Sequence, residues 1–179
     1  MAHIELKNEL PGISGLLFDF PETAKPLCDL AETLLRKPHS LSSGERELIA
    51  AYVSHKNNCN FCHSSHAAAA ITHLKDEEYK LMDAVLTDIN TAPISDKMKA
   101  LLIIAGEVQQ GGRFVKEADI VKAKNAGATD SELHITVLIA AAFCMYNRYV
   151  DGLATWSPLG REPYREMGKR MAEVGYVRK

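Results

Sequence analysis

The sequence lacks both a long apolar run and an excess of charge of either sign. Its 179 residues include 21 Lys and Arg against 23 Asp and Glu, giving a formal charge of −2 at pH 7. The basic residues are spread along the chain and form no stripe, which argues against nucleic acid or an anionic membrane as the main partner. The longest apolar stretch, 135–145, is followed by Asn147 and Arg148. It falls well short of the roughly 20 residues that span a bilayer.

The first residues also lack a positive region followed by an apolar one, the pattern of a secretory signal. We therefore expect a cytoplasmic protein, in a compartment where structural disulfides are uncommon. Only four cysteines occur. Cys59 and Cys62 form a close pair, which in this compartment is more often catalytic or metal-binding than structural. Cys28 and Cys144 lie far from the pair, and we expect both to be buried thiols.

Strand patterns are missing as well, because almost every patterned segment has a helical period. The length and the ordinary apolar fraction of 46% fit one soluble domain over residues 1–179 with a sizeable core. We predict an all-α bundle of about seven or eight helices, with the two close cysteines at the start of one of them. The core is expected at about 22–155, preceded by an irregular arm at 1–21 and followed by an amphipathic helix at 161–175.

Capping residues, prolines and glycines divide this core into helices. Ser42 with Glu45, and Thr129 with Glu132, form possible capping boxes at the start of two helices. The helix from Thr129 is apolar on more than one face, so it should be central to the core or buried between subunits, and we expect an oligomer. The expected core helices run approximately over 22–36, 42–56, 59–72, 76–90, 95–111, 116–125 and 129–150.

The residues with the clearest chemical character are Cys59, Cys62 and His66. Two thiols three residues apart, with an imidazole four residues further on, share one helix face. One thiolate can attack a peroxide or a disulfide, and its neighbour can resolve the product as an intramolecular disulfide. Cys59 lies near the helix N-terminus, where the helix dipole favours an anion, and on that ground it is the easier thiol to ionise.

Glu47 lies twelve residues before Cys59. If the helices at 42–56 and 59–72 form an antiparallel hairpin, Glu47 lies about 15 Å from the turn and His66 about 12 Å, at ~1.5 Å per residue. The two side chains therefore come almost level. A carboxylate fixes the tautomer of an imidazole and raises its basicity, and the imidazole can then deprotonate Cys62. This order predicts a proton relay that ends in a dithiol, with peroxide reduction as the favoured reaction.

Each of these residues also has a simpler interpretation when it is taken alone. A glutamate in the first helical turn, such as Glu47, is commonly a surface residue favoured by the helix dipole. His66 alone would more often be a partly exposed helix histidine. A single pair of cysteines at this spacing is a weak signal. The combination, with consistent hairpin geometry, favours the catalytic interpretation.

The main alternative from the residues is a metal site. Two cysteines and two histidines form a common tetrahedral zinc set. The chain offers such a set at spacings of 4, 3 and 4, in His55, Cys59, Cys62 and His66. The break at 57–58 is expected to place His55 on another helix, and ligands on one straight helix do not easily surround an ion. We therefore expect no metal here, and we expect His63 to point away from the reactive face into solvent.

At these residues the chain resembles the carboxymuconolactone decarboxylase-like superfamily, specifically its alkylhydroperoxidase D-like (AhpD-like) peroxidase-related branch. The pattern of that family is a glutamate, eleven residues, and then C-x-x-C-x-x-x-H. This chain matches it in type and spacing at Glu47, Cys59, Cys62 and His66. The segment 43–54 is similar to the corresponding part of the wider family, and the segments 10–16 and 146–152 are similar to its peroxidase-related subgroup. The resemblance therefore covers about residues 10–155.

The resemblance implies an all-α AhpD-like fold, assembly into trimers or hexamers, and reduction of organic hydroperoxides or hydrogen peroxide without a cofactor. It also implies that Cys62 attacks the peroxide and that Cys59 resolves the product, in contrast to the dipole argument. We follow the resemblance, because a base beside Cys62 can outweigh a helix-end effect of ~0.3–1 kcal/mol. An external dithiol or protein reductant then restores the pair, and Glu47 and His66 move the protons.

One departure from the family pattern concerns Phe61, which stands where the best-studied peroxidases carry a second histidine. The relay then has one member fewer, so we expect weaker peroxidase activity or a different disulfide or electrophile as substrate. A general disulfide oxidoreductase or redox sensor is the alternative function. Lactone decarboxylation is not expected, because the decarboxylases proper lack the dithiol. Tyr146, Asn147 and Arg148 are candidates to line the pocket; alternatively, they satisfy helix ends or an interface.

Overall fold

The computed structural model describes residues 2–76 and 78–177, and within these ranges it contains nine α-helices and no β-strand. The predicted all-α class is therefore confirmed. A short 3₁₀ turn, Gly112–Phe114, connects the sixth helix to the seventh. The helices are α1 Ile13–Asp19, α2 Pro21–Arg36, α3 Ser43–Lys56, α4 Asn60–Leu74, α5 Lys80–Thr87, α6 Asp96–Gln110, α7 Glu117–Asn125, α8 Asp130–Gly152 and α9 Glu162–Glu173.

Helix α1 lies inside the segment 1–21 that was predicted to be irregular, so that prediction is wrong. Gly12 precedes α1 at a φ of +54°, a conformation that glycine adopts without strain. A Cβ atom at this position would also overlap the ring of Phe61. Leu16 is completely buried. The turn at Gly12 therefore starts a helix of only seven residues that covers Phe61, too short for its period to be distinguished in the sequence.

Helix α5 is shorter than the predicted helix at 76–90. The carboxylate of Asp76 accepts hydrogen bonds from the backbone N–H groups of Leu81 at 2.8 Å and Met82 at 3.4 Å. Asp76 thus lies before the helix and satisfies its first donors. Asp88 ends the helix, because its side chain accepts from the backbone of Asn90. Residue 77, inside the predicted helix, lies outside the described residues.

Helices α3 and α4 form the hairpin that the sequence predicted. The capping box at the start of α3 is present: Ser42 Oγ accepts from the Glu45 N–H, and Glu45 Oε2 accepts from the Ser42 N–H. The turn after α3 contains Asn58 at a φ of +58°. Cys59 is the N-cap residue of α4. The hairpin therefore brings the middle of α3 level with the middle of α4.

Helix α8 packs against α6 and α3 and supplies part of the core. Thr129 and Glu132 form the second predicted capping box. Ile139, Ala140 and Phe143 are almost completely buried. By length and composition alone α8 is long enough to cross a membrane, with 56% of its most apolar window buried. Its place between other helices accounts for this composition, because a helix packed on several sides needs more than one apolar face.

Helix α9 confirms the helix predicted at 161–175, and it packs along α4. After α9 the chain turns back toward α2. Arg36 donates hydrogen bonds to the backbone carbonyls of Met171 and Ala172, at the end of α9. The backbone N–H of Tyr176 donates to Glu32 Oε2 at 2.9 Å. The end of the described chain is therefore fixed against α2, close to the α3–α4 hairpin.

Candidate functional site

Glu47 and His66 lie side by side across the α3–α4 hairpin, as the helical rise predicted. His66 Nδ1 lies 2.7 Å from Glu47 Oε2. Glu47 is completely buried and His66 is 9% exposed, so the surface interpretation of both residues is wrong. A carboxylate can only accept a hydrogen bond, so this contact assigns the ring proton to Nδ1. Nε2 is then the ring nitrogen that can take a proton.

Tyr176 joins this pair, although no sequence pattern points to it. Its hydroxyl donates a hydrogen bond to Glu47 Oε1, and it lies 3.5 Å from His66 Nδ1. Its ring is stacked on the imidazole of His66: the angle between the two ring planes is 9°, and the ring centroids are 5.9 Å apart. Burial and the nearby Glu47 raise the pKa of Tyr176 well above its ordinary value, so the hydroxyl stays protonated. Both oxygens of Glu47 thus have a donor.

The two thiols of the motif are in contact with each other. Cys59 and Cys62 hydrogen-bond through their side chains, and they are 0% and 3% exposed. The hydrogen bond to Cys62 and burial raise the pKa of Cys59 well above its ordinary value. This direction contradicts the expectation from the helix dipole. Cys59 is the N-cap residue, but its side-chain bond to Cys62 and its burial outweigh the lowering of its pKa by the backbone N–H of Cys62.

Asp151, near the end of α8, is a further polar group at the dithiol. Its carboxylate lies close enough to the Cys59 thiol for the two groups to interact electrostatically. Burial raises the pKa of Asp151, and the interaction with Cys59 opposes that rise. Asp151 lies in the segment 146–152 that resembles the family, but its type and spacing gave no reason to select it. Asp151 therefore supplies a carboxylate close to Cys59 and the dithiol.

A cavity of about 90 Å³ opens beside Cys62 and His66, which both line it together with Tyr176. Cys59 and Glu47 are not among its lining residues. A small molecule in the cavity therefore meets Cys62 before Cys59. Most of the wall is apolar, with side chains that include Leu17, Leu27, Phe61, Phe143, Met167 and Met171.

Of the three candidates that follow the apolar part of α8, only Tyr146 lines this cavity. Its hydroxyl donates to the Leu27 carbonyl at 2.8 Å. Asn147 is buried elsewhere, where its side chain bonds to those of Ser54 and Asn57. Arg148 is exposed and donates to a carbonyl of its own helix. Asn147 therefore satisfies a polar group at the end of α3, as the structural alternative expected, and neither Asn147 nor Arg148 lines the cavity.

The remaining histidines and cysteines need two corrections. His63 is not solvated: its Nδ1 donates to the Ala51 carbonyl at 3.0 Å, its ring contacts His55, and burial lowers its pKa. Cys28 is buried as expected, whereas Cys144 is half-buried. Within residues 2–76 and 78–177, no group of three or more His, Cys, Asp or Glu side chains is placed to hold a metal ion.

Comparisons with known proteins agree with the resemblance seen in the sequence. Residues 21–79 match the model of the Carboxymuconolactone decarboxylase family. No curated protein matches the chain. The fold is similar to that of an alkylhydroperoxidase AhpD core, an uncharacterized peroxidase-related protein from Ralstonia eutropha JMP134. The TM-score is 0.76 at 24% identity, over 89% of this chain and 82% of that one.

A second similar structure is an uncharacterized peroxidase-related protein from Silicibacter sp. TM1040. Its TM-score is 0.75 at 22% identity, over 87% of this chain and 78% of that one. These likenesses confirm the AhpD-like fold and, over residues 21–79, the resemblance to the family. The matched region contains all four residues of the motif, whereas Asp151 and Tyr176 lie outside it.

Proposed function

We propose that this AhpD-like chain is a thiol-dependent peroxidase that reduces organic hydroperoxides or hydrogen peroxide through a dithiol–disulfide cycle of Cys59 and Cys62. One observation carries the proposal. Cys62 lines an apolar cavity together with His66, whose ring is held by the buried carboxylate of Glu47. A sulfur nucleophile and a proton-transfer group thus face the same small space.

In the first step, Cys62 gives its proton to His66 Nε2 and the thiolate attacks the outer oxygen of the peroxide. The O–O bond breaks, and Cys62 becomes a sulfenic acid. The leaving alkoxide takes the proton from His66 and departs as an alcohol, or as water when the substrate is hydrogen peroxide. Glu47 stabilises the imidazolium that exists between the two proton transfers.

In the second step, Cys59 attacks the sulfur of Cys62. The S–S bond forms, the S–O bond breaks, and the hydroxide takes a proton from solvent and leaves as water. Asp151 is the proposed acceptor for the proton of Cys59, because its carboxylate interacts with this thiol and the raised pKa of Cys59 requires a nearby base. An external dithiol then reduces the disulfide and is itself oxidised to a disulfide.

The alternative, a general disulfide oxidoreductase or redox sensor, is favoured by one residue. Phe61, between the two cysteines, is buried and packs edge-on against Tyr164, so this position supplies no proton-transfer group. The burial of the dithiol argues against this alternative, because Cys59 and Cys62 are almost completely buried. A small peroxide reaches such a sulfur more easily than the disulfide of a folded protein does, which favours peroxide as the oxidant.

We also propose that the protein works in the cytoplasm as a homo-oligomer, a trimer or a hexamer, as the resemblance implies. The exposed side chains of Leu138 and Met145 on α8 support a contact between subunits. A single-chain mass in sedimentation equilibrium would contradict this proposal.

The proposed cycle is tested by stopped-flow oxidation with a panel of peroxides, combined with mass spectrometry of the product. The wild type should form the 59–62 disulfide. Cys62→Ser should lose turnover, and Cys59→Ser should react once and then over-oxidise. Cys144→Ser, which removes a half-buried thiol outside the cavity, should match the wild type.

Two outcomes would count against this cycle. Retained turnover in Cys62→Ser would remove Cys62 as the nucleophile. Disulfide exchange that depends on Cys62, with no peroxide reduction above the rate of a free thiol, would instead identify a disulfide oxidoreductase.

A further inference from the structure

The C-terminal segment after α9 brings Tyr176 to the site from outside the region that the family model matches. Glu47 is completely buried, and its two oxygens have one donor each: His66 on Oε2 and Tyr176 on Oε1. A buried carboxylate is stable only when such donors replace water. The state of Glu47 therefore depends on Tyr176 as well as on His66.

Tyr176 also contacts the second member of the pair directly. Its ring stacks on His66 and lines the same cavity as Cys62. The imidazole also makes an edge contact with Phe143, with the two ring centroids 4.5 Å apart. The ring of His66 therefore contacts two aromatic side chains, Tyr176 and Phe143.

The backbone around Tyr176 is fixed to α2. Its N–H donates to Glu32 Oε2, and Glu32 Oε1 pairs with Arg36 Nε at 3.3 Å. Gly175 has a φ of +94°, and a Cβ atom there would collide with the carboxylate of Glu32. The segment thus enters the site in one defined conformation.

We propose that Tyr176 is a positioning residue of the site, which holds Glu47 so that it accepts the Nδ1 proton of His66 and leaves Nε2 as the base. The role in catalysis rests on the proposed function; the effect on the Glu47–His66 pair does not. Removing the donor on Oε1 makes the carboxylate a stronger proton acceptor. Without the Tyr176 hydroxyl, the Glu47–His66 pair keeps its shared proton to a higher pH. This proton can then lie on the Glu47 carboxylate instead of on Nδ1 of His66.

The test compares Tyr176→Phe with the wild type in two measurements. With tert-butyl hydroperoxide, kcat/KM at pH 7 should fall roughly 10- to 100-fold, the loss expected for a hydrogen bond to a charged group. The acidic limb of the pH profile should move upward by about one unit or more. Nitrogen NMR of the His66 ring should show the same upward movement without any peroxide present.

A matched control is Tyr149→Phe, which removes a hydroxyl bonded to Thr23, outside the cavity. It should keep the wild-type profile. Glu32→Ala, which releases the backbone of Tyr176, should move the His66 titration in the same upward direction, and it replaces Tyr176→Phe if that variant does not fold.

The outcomes separate this inference from the proposed function. An unchanged rate, pH profile and His66 titration in Tyr176→Phe would overturn it, as would lower thermal stability with an unmoved titration. If the wild type shows no peroxide turnover, the proposed function fails, and the NMR titration alone decides the role of Tyr176.

Discussion

Glu47 is a completely buried acid whose two oxygens are both hydrogen-bonded. The chemistry of a carboxylate at this position differs from that of an amide in one respect. A carboxylate accepts from both neighbours, whereas an amide accepts through its oxygen and must donate through its nitrogen. The position of the proton on the His66 ring therefore depends on residue 47 being a carboxylate.

Glu47→Gln should slow peroxide reduction by ~10²–10⁴. If the amide oxygen accepts from Tyr176, the amide nitrogen donates to Nδ1 of His66 and forces the ring proton onto Nε2, so the base is lost. Stopped-flow oxidation measures the rate, and circular dichroism checks the fold. Glu45→Gln on the same helix, which keeps an acceptor for the capping box, should retain the wild-type rate. Equal rates in both variants would assign Glu47 a purely structural role.

The four motif residues could be found from the sequence because they all belong to one hairpin. Within a hairpin the helical rise alone decides which positions are level, so the approach of Glu47 to His66 follows from counting residues. Tyr176 lies 129 residues after Glu47. No local period encodes a contact across that separation, so neither Tyr176 nor Asp151 could be predicted.

At the scale of elements, the close packing of α9 along α4 determines where the C-terminal segment lies relative to the site. The alanines at 67–70 on α4 are almost completely buried. Gly168 on α9 lies directly over Ala68, and a Cβ atom at Gly168 would overlap the backbone and Cβ of Ala68. Small residues on both helices thus allow a close approach, which leaves no space for a methyl group.

Gly168→Ala should destabilise the protein by about 1–3 kcal/mol, because α9 must shift away from α4. In an open helix the same change stabilises by up to ~1 kcal/mol, so the sign of the effect is informative. Denaturant unfolding measures it. Gly152→Ala, at the end of α8 with nothing within 4 Å of the added methyl, is the control and should not destabilise. A more stable Gly168→Ala would show that α9 is not packed this closely.

Helix boundaries were predictable where a capping box or a glycine marks them, as at Ser42 and Thr129. They were predicted incorrectly where the group that caps the helix lies several residues before its first turn. Asp76 bonds to backbone N–H groups five and six residues later, so the sequence pattern included it in the helix itself. Helix α1 was missed because seven residues do not establish a period.

At the scale of the whole molecule, the candidate site combines three parts of the chain that are distant in sequence. The α3–α4 hairpin supplies the motif, the end of α8 supplies Asp151, and the segment after α9 supplies Tyr176. The all-α class and the AhpD-like fold followed from helical periods and one motif. The single domain, the subunit number and the compartment stay predictions. The position of α8 therefore matters to the site, and a buried acid at its start forms an ion pair with α6.

That ion pair joins Glu132, at the start of α8, to Lys97 on α6. Glu132 is 1% exposed, and Lys97 Nζ lies 2.8 Å from its Oε1. Burial opposes the ionisation of Glu132, but hydrogen bonds from Lys97, the Thr129 N–H and Ser40 outweigh it and lower its pKa to about 2. A carboxyl with a lowered pKa in the folded state contributes stability above its unfolded pKa and loses it as the pH falls through the folded value.

The free energy of unfolding should therefore decrease from about pH 5 toward pH 2, and Glu132→Gln should remove much of that decrease. The contribution at neutral pH is on the order of 2–3 kcal/mol. Urea unfolding between pH 7 and pH 2 measures both curves. Asp130→Asn, an exposed acid in the same first turn of α8, should leave the slope nearly unchanged. Parallel curves for Glu132→Gln and the wild type would show that this pair does not couple α6 to α8, and the acid sensitivity of the fold would then arise elsewhere.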